Sequence, residues 1–359
     1  MVLSNLARAE VKPACAIKTL ERVTADIGRE CGLVDIPDSR KRHTGDIPLT
    51  GGVAIAIAAP VYPLLFDTPA LPLTVGLIAC AIFLMGVIDD NRQVPAAWRL
   101  TLHYLAGVLL GTLGGVAIHN VGNLLGGGDI ALLALTVPLT ALAVAGLCNA
   151  YNMIDGVGGL AGVTALLPLV VLYLIALDFA HPATGLLAGW IAALCAFLIF
   201  NLPGGGVSLP RVFLGDNGSV LLGFMVTVFL VHYSQGENAL IRPVAALWLV
   251  TVPLMDMLST MLRRYRHGRP LMRADRSHLH HALIDMGLSA RQALLLLTCW
   301  SILCALMGLA LENTASYISM ALYFVVFAAQ STLALKSVKL ADYFSRTYNT
   351  RAALNHTGE

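Results

Sequence analysis

Ten apolar runs punctuate the chain, at 51–66, 71–88, 100–118, 130–148, 159–177, 183–201, 218–233, 241–262, 292–311 and 315–335. Each is near the roughly 20 residues that an α-helix needs to cross the hydrocarbon of a bilayer. None shows the period-two alternation that a membrane β-barrel requires. Only 12% of the 359 residues are charged and 57% are hydrophobic, whereas about 25% are charged in an ordinary soluble domain. The pattern predicts an all-α, polytopic integral membrane protein of about ten transmembrane helices. Seven cysteines are scattered with no CxxC pair, and most sit in or beside apolar runs. They read as small core residues rather than disulfides or metal ligands.

The basic residues orient this array. If the N-terminus is cytoplasmic, every one of the 23 lysines and arginines except Arg242 falls on the cytoplasmic side, as the positive-inside rule demands. Residues 1–50 then form a cytoplasmic segment, 51–335 the transmembrane domain and 336–359 a cytoplasmic tail. Residues 1–30 are too interrupted by charge for a signal peptide or a spanning helix. The cytoplasmic loops are 89–99, 149–158, 202–217 and 263–291, and they hold nearly all the polar chemistry. A transporter would be expected to place ionisable groups near the midplane or on both faces. Gathering them at one mouth points instead to chemistry between a cytosolic solute and something in the membrane. The net charge of +2 gives no sign of a nucleic-acid partner.

Four constellations lie on that face. Asn149, Asn152 and Asp155 recur at i, i+3 and i+6 before a glycine-rich stretch. On a helical turn they would share a face and offer oxygen ligands to a hard metal ion and its phosphates; the alternative is a plain interhelical turn. Asp89 and Asp90 end the second run, either as a metal or phosphate site with one carboxylate free to act as base or as a solvated helix end. Asp216 lies just before the seventh run, whose N-terminal amides would favour an anion, unless Asp216 merely caps the helix. His278, His280 and His281 follow a run of arginines. No cysteine or acidic fourth ligand stands at a usual zinc spacing, and the cluster suits phosphate or sugar oxygens better.

Together these motifs resemble the polyprenyl-phosphate N-acetylhexosamine-1-phosphate transferases, glycosyltransferase family 4. They look most like the WecA-type branch, which moves GlcNAc-1-phosphate from UDP-GlcNAc onto undecaprenyl phosphate. The resemblance runs from Gly32 to about Gly287. Its carriers are Gly32-Leu-Val-Asp35 with Arg40-Lys-Arg-His43, Ile47-Pro-Leu-Thr-Gly-Gly52, Asp89-Asp90 and Asn149 to Gly159. Val212-Phe-Leu-Gly-Asp216-Asn-Gly-Ser219, Pro253-Leu-Met-Asp256-Met257 and Asp275-Arg-Ser-His278-Leu-His-His281 complete the set.

The resemblance implies a Mg2+-dependent (or Mn2+-dependent) transferase of the bacterial inner membrane, with both termini cytoplasmic, acting on UDP-GlcNAc and undecaprenyl phosphate. The product would be UMP and the lipid-linked first sugar of a surface polysaccharide such as O-antigen; a homodimer is expected. It implies that Asn152 and Asp216 hold the metal, and that Asp89 and Asp90 orient or deprotonate the lipid phosphate. Asp155 would line the nucleotide pocket. Arg276, His278, His280 and His281 would bind phosphate and sugar, and Arg40, Lys41 and His43 the lipid or nucleotide phosphates.

Two departures accompany it. Members of the branch usually begin with a further span before Gly32, and the central loop commonly reads Asp-Gly-x-Asp-Gly where this chain has Asp155-Gly-Val-Gly158-Gly159. The missing carboxylate bears on contact with the nucleotide rather than on the metal. The readings left open are the same reaction on another UDP-N-acetylhexosamine and a non-catalytic relative.

Overall fold

The computed structural model describes residues 28, 30, 32–35, 47–66, 71–179, 181, 183–203, 211–236, 239–270 and 278–333. A short antiparallel ribbon pairs β1 (Val34–Asp35) with β2 (Ile47–Pro48), placing Val34 opposite Pro48 and Asp35 opposite Ile47. The helices follow in order: α1 (Gly51–Phe66), α2 (Leu73–Arg92), α3 (Ala96–Thr112), α4 (Thr136–Ile154), α5 (Leu160–Asp178), α6 (Ala183–Asn201) and α7 (Gly215–His232). Then come α8 (Pro243–Leu249), α9 (Thr251–Arg266), α10 (Leu279–Asp285), α11 (Ala290–Ala310) and α12 (Ser316–Leu333). Each of the ten apolar runs thus contributes a helix among the described residues, the eighth as the pair α8 and α9, although the third is helical only to Thr112 and the fourth only from Leu133. Seven of the described helices are long and apolar enough to cross a membrane, or eight if the bent pair is one span. The helices α1 and α3, at 16 and 17 residues, are shorter.

Helix α7 is the axis of the bundle. Its sequence is apolar on every side from Val220 to Val231, the pattern of a helix surrounded by others, and 89% of it is buried. It packs against α1, α2, α4 and α5. In a bilayer, helix association depends on close packing rather than on escape from water, so small residues at the crossings matter. At Gly223 an added Cβ would lie 2.6 Å from the Cys148 Cα of α4, and at Gly107 of α3 it would lie 2.5 Å from the Ala141 Cα of α4. Gly86 of α2 lies directly on the backbone of Asn217, and Gly52 of α1 on Gly218. These two contacts bring α1 and α2 onto the first turn of α7.

The bend between α8 and α9 is 79°. Pro253 brings no N–H for the Leu249 carbonyl, so the helical ladder cannot run unbroken from α8 into α9. The Thr251 hydroxyl donates to the Trp248 carbonyl at 2.8 Å, satisfying at the break a group that hydrocarbon cannot solvate. Trp248 itself is fully buried and donates through Nε1 to Ser319 Oγ of α12 at 3.0 Å.

Candidate active site

One end of the bundle collects the C-terminal ends of α2 and α4 and the N-terminal ends of α3 and α7. Asp89, on the last turns of α2, is 4% exposed. Its Oδ2 accepts from Arg99 Nη1 at 2.6 Å and its Oδ1 from the Val94 N–H at 2.7 Å. The neighbouring Asp90 points elsewhere. Its Oδ1 accepts from the Asp216 N–H at 2.8 Å, and its Oδ2 accepts from the Asn217 N–H at 3.0 Å and from Asn217 Nδ2 at 2.6 Å. Asp90 therefore caps α7 from another helix, taking amides that would otherwise lack partners. The amides expected to attract an external anion are occupied by this internal carboxylate. Gly215, at φ +75°, supplies the left-handed turn that exposes them; a Cβ there would lie 3.0 Å from Asp90 Oδ2.

Asp216 and Asn152 meet directly: Asn152 Nδ2 donates to Asp216 Oδ1 at 2.7 Å and to Ser219 Oγ at 3.2 Å. The other Asp216 oxygen lies 3.6 Å from Arg99 Nη1. Asn149 does not join them, because its amide donates to the sulfurs of Met153 and Met257 at 3.1 and 3.3 Å. A three-residue step falls short of a full turn at 3.6 residues per turn, so the two asparagines splay apart, and α4 ends at Ile154, before Asp155. Burial, then the negative charges of Asp216 and Asp90, push the Asp155 carboxyl up to about 8.

The glycine-rich loop is tied down by Asn201, at the end of α6. Its Oδ1 accepts from the Gly159 N–H at 2.5 Å and its Nδ2 donates to the Val212 carbonyl at 2.7 Å. Gly159 starts α5 at φ +85°. At Gly158, where the family pattern has a carboxylate, an added Cβ would lie 2.7 Å from the Asn201 carbonyl oxygen. The departure at this position is therefore also a close backbone approach.

The histidine cluster reaches the same loop. His280, 1% exposed, lies against Gly156, where an added Cβ would run into its ring. His278 stacks parallel to His280 at 5.7 Å, and His280 and His281 are 4.2 Å apart. His278 Nδ1 shares a 2.9 Å hydrogen bond with Asp256 Oδ2, and the other Asp256 oxygen accepts from the Leu279 N–H at 2.8 Å. One carboxylate on α9 thus fixes both the ring of His278 and the start of α10. Arg40, Lys41, His43 and Arg276 lie outside the described residues.

Sequence reasoning overlooked Arg99 and Asn201 as members of this site, and it named Asp256 only within the Pro253–Met257 motif, without a role. Arg99 carried a signal, because a cation in the first turn of a helix opposes the helix dipole and calls for an anionic neighbour. Asp256 carried one too, as a carboxylate inside an apolar run. Asn201 offered none.

Residues 72–234 match the model of glycosyl transferase family 4. The chain is 32% identical over 331 residues to the undecaprenyl-phosphate alpha-N-acetylglucosaminyl 1-phosphate transferase of Escherichia coli strain K12, covering 89% of this chain and 88% of that one. It is 30% identical over 330 residues to the protein of that name from Yersinia pestis, covering 90% of each. The chain belongs to glycosyl transferase family 4. A relative of the same name from Haemophilus influenzae is 33% identical over 287 residues, covering 77% of this chain and 79% of that one. The family match encloses α2 to α7, the helices that carry Asp89, Asp90, Arg99, Asn152 and Asp216.

Proposed function

We propose that this protein transfers GlcNAc-1-phosphate from UDP-GlcNAc to undecaprenyl phosphate at the cytoplasmic face of a bacterial inner membrane, starting a lipid-linked surface polysaccharide such as O-antigen. An oxygen of the lipid phosphate forms a bond to the β-phosphorus of the nucleotide sugar. The bond from that phosphorus to the bridging oxygen breaks, and UMP leaves with the electron pair. The observation that carries this reading is the direct contact of Asn152 with Asp216 beside the Asp89–Arg99 pair, on the helices that the family match encloses. The names of the relatives support the choice of sugar and lipid.

The donor set suits Mg2+. Among the described residues no three His, Cys, Asp or Glu side chains form a metal cage. Mg2+ commonly uses one or two carboxylates, with waters and substrate phosphates completing its shell. The Asp216 carboxylate and the Asn152 carbonyl oxygen, with its amide turned about, would hold it. When bound, Mg2+ would draw off the negative charge that gathers as two phosphates meet.

The chain's own groups do the rest in this reading. Asp89 orients the lipid phosphate and accepts its proton, and Arg99 holds Asp89 in place. Asp90 keeps the first turn of α7 aimed at the reaction. Asp155 lines the nucleotide pocket. His278, His280 and His281, with Arg276, grip the sugar diphosphate, and Arg40, Lys41 and His43 meet the lipid or nucleotide phosphates.

The test is release of UMP by the purified protein with Mg2+, undecaprenyl phosphate and a panel of UDP-sugars. UDP-GlcNAc should yield lipid-linked sugar, and Asp216→Asn should abolish both products. Good yield from another UDP-N-acetylhexosamine with none from UDP-GlcNAc would overturn the sugar assignment.

A further inference from the structure

Arg99 stands in an unusual position. It occupies the first turn of α3, where the helix dipole disfavours a cation. Its Nη1 touches carboxylates from two other helices, Asp89 Oδ2 at 2.6 Å and Asp216 Oδ2 at 3.6 Å. The two contacts are unequal in reach and in setting. The Asp89 side chain is 4% exposed, whereas that of Asp216 is 38% exposed. Arg99 is thus anchored on the buried carboxylate and only leans on the open one.

Resting on the assignment of a metal to Asn152 and Asp216, we propose that Arg99 is the built-in counter-ion of this site. It shields Asp216 while the metal is away, yields it when the metal binds, and stays on Asp89 throughout. Two physical arguments carry this. Without a cation, Asp89, Asp90 and Asp216 repel one another, and Arg99 bridges two of the three. A divalent cation held by an Asp216 oxygen would be bound to it directly. The guanidinium nitrogen 3.6 Å from Oδ2 would then face a divalent cation at close range, and the short bond to Asp89 gives it a place to remain. Arg99 therefore lowers the affinity for metal alone, favouring a metal that arrives with the diphosphate of the nucleotide sugar. It is a positioning residue that acts through Asp89 and Asp216.

The experiment is a Mn2+ titration read by electron paramagnetic resonance on the full chain in detergent, comparing wild type, Arg99→Gln, Arg99→Lys and Asp216→Asn. Arg99→Gln should bind Mn2+ about tenfold tighter, a value set by loss of one nearby, partly exposed charge. Metal-free Arg99→Gln should melt below wild type and recover more on adding Mn2+. In the transfer assay its half-saturating Mg2+ concentration should fall while kcat also falls, a split that a merely structural role would not produce. Arg99→Lys keeps the charge but lacks the fork, and should bind about threefold tighter. If Arg99→Gln does not fold, Arg99→Lys decides alone. An affinity no tighter than wild type in the deciding variant overturns the proposal. A wild type with no Mn2+ site that Asp216→Asn removes overturns the metal assignment, and this proposal with it.

Discussion

The two ends of the helical bundle solve the same problem with different chemistry. At the end away from the site, Gln235 gathers a distant loop. Its Oε1 accepts from the His119 and Asn120 N–H groups at 3.0 and 3.1 Å, and its Nε2 donates to the Asn120 carbonyl at 3.1 Å. Near the site, Asp90 performs the equivalent task for α7, again with three hydrogen bonds. The first fastening is a neutral amide whose donor and acceptor are both used. The second is a charged carboxylate beside Asp89, Asp155 and Asp216, with one arginine braced between two of them. A neutral fastening needs nothing more, whereas the charged one leaves an excess of negative charge that an added cation can relieve. The contrast separates an end built for stability from an end built for a ligand.

The contrast predicts its largest effect at Asp90. Asp90→Ala removes the acceptor from two amides and a buried side chain, at a cost of about 2–4 kcal/mol of stability. The misplacement of Asp216 that follows should slow transfer roughly 100-fold. Asp90→Asn keeps an oxygen for one amide and should retain more of both. Equal loss of rate in the two variants, with no fall in melting temperature, would make Asp90 a proton acceptor instead. A smaller effect is expected at Asp256, which holds His278 without belonging to the carboxylate cluster. Asp256→Asn should raise KM for the nucleotide sugar about tenfold, the scale at which the partner of a functional histidine counts. An unchanged KM would place His278 away from the nucleotide sugar.

These two residues also mark where the sequence could be read and where it could not. The ten apolar runs each yield a helix because length and apolarity are local properties, written in consecutive residues. Proximity of Asn152 to Asp216 was reachable through the family pattern. The separate duties of Asp89 and Asp90 were not, because adjacent carboxylates look alike in one dimension. On a helix they point about 100° apart, one toward Arg99 and the other toward α7. Asn149 misled for the same reason, since regular spacing specifies an angle and says nothing of what stands opposite. The tie from Asn201 to Gly159 depends on a partner 42 positions away, and no local pattern announces it.

Gly158 tests the site end on a finer scale. The Asn201 carbonyl lies 2.7 Å from where a Cβ would stand, so the glycine loop touches the backbone at the end of α6 there. Gly158→Ala should cost about 1–3 kcal/mol, the range for overpacking a close contact. Gly158→Asp should lose at least as much and should not increase UMP release. Increased release with an unchanged melting temperature would show that the loop accommodates the family carboxylate.

The smallest effect belongs to the far end, where one charge is fastened rather than left open. Glu312 Oε1 accepts from the Arg242 N–H at 2.6 Å, and Arg242 Nη1 donates to the Thr314 carbonyl at 2.7 Å. Burial raises the Glu312 carboxyl above its ordinary 4.5, against the lowering pull of the Arg242 amide and charge. An acid whose folded value is raised stabilises the fold below its unfolded value, and that contribution is lost as pH rises through the folded one. Glu312→Gln keeps the acceptor oxygen but cannot ionise. It should melt slightly above wild type at pH 7, by on the order of a degree because the group is only partly buried. The gap should close as pH falls toward 4.5, with transfer unchanged at pH 7. A variant that melts below wild type at pH 7 would show that the attraction between Glu312 and Arg242 outweighs burial. The far end would then rest on charge after all.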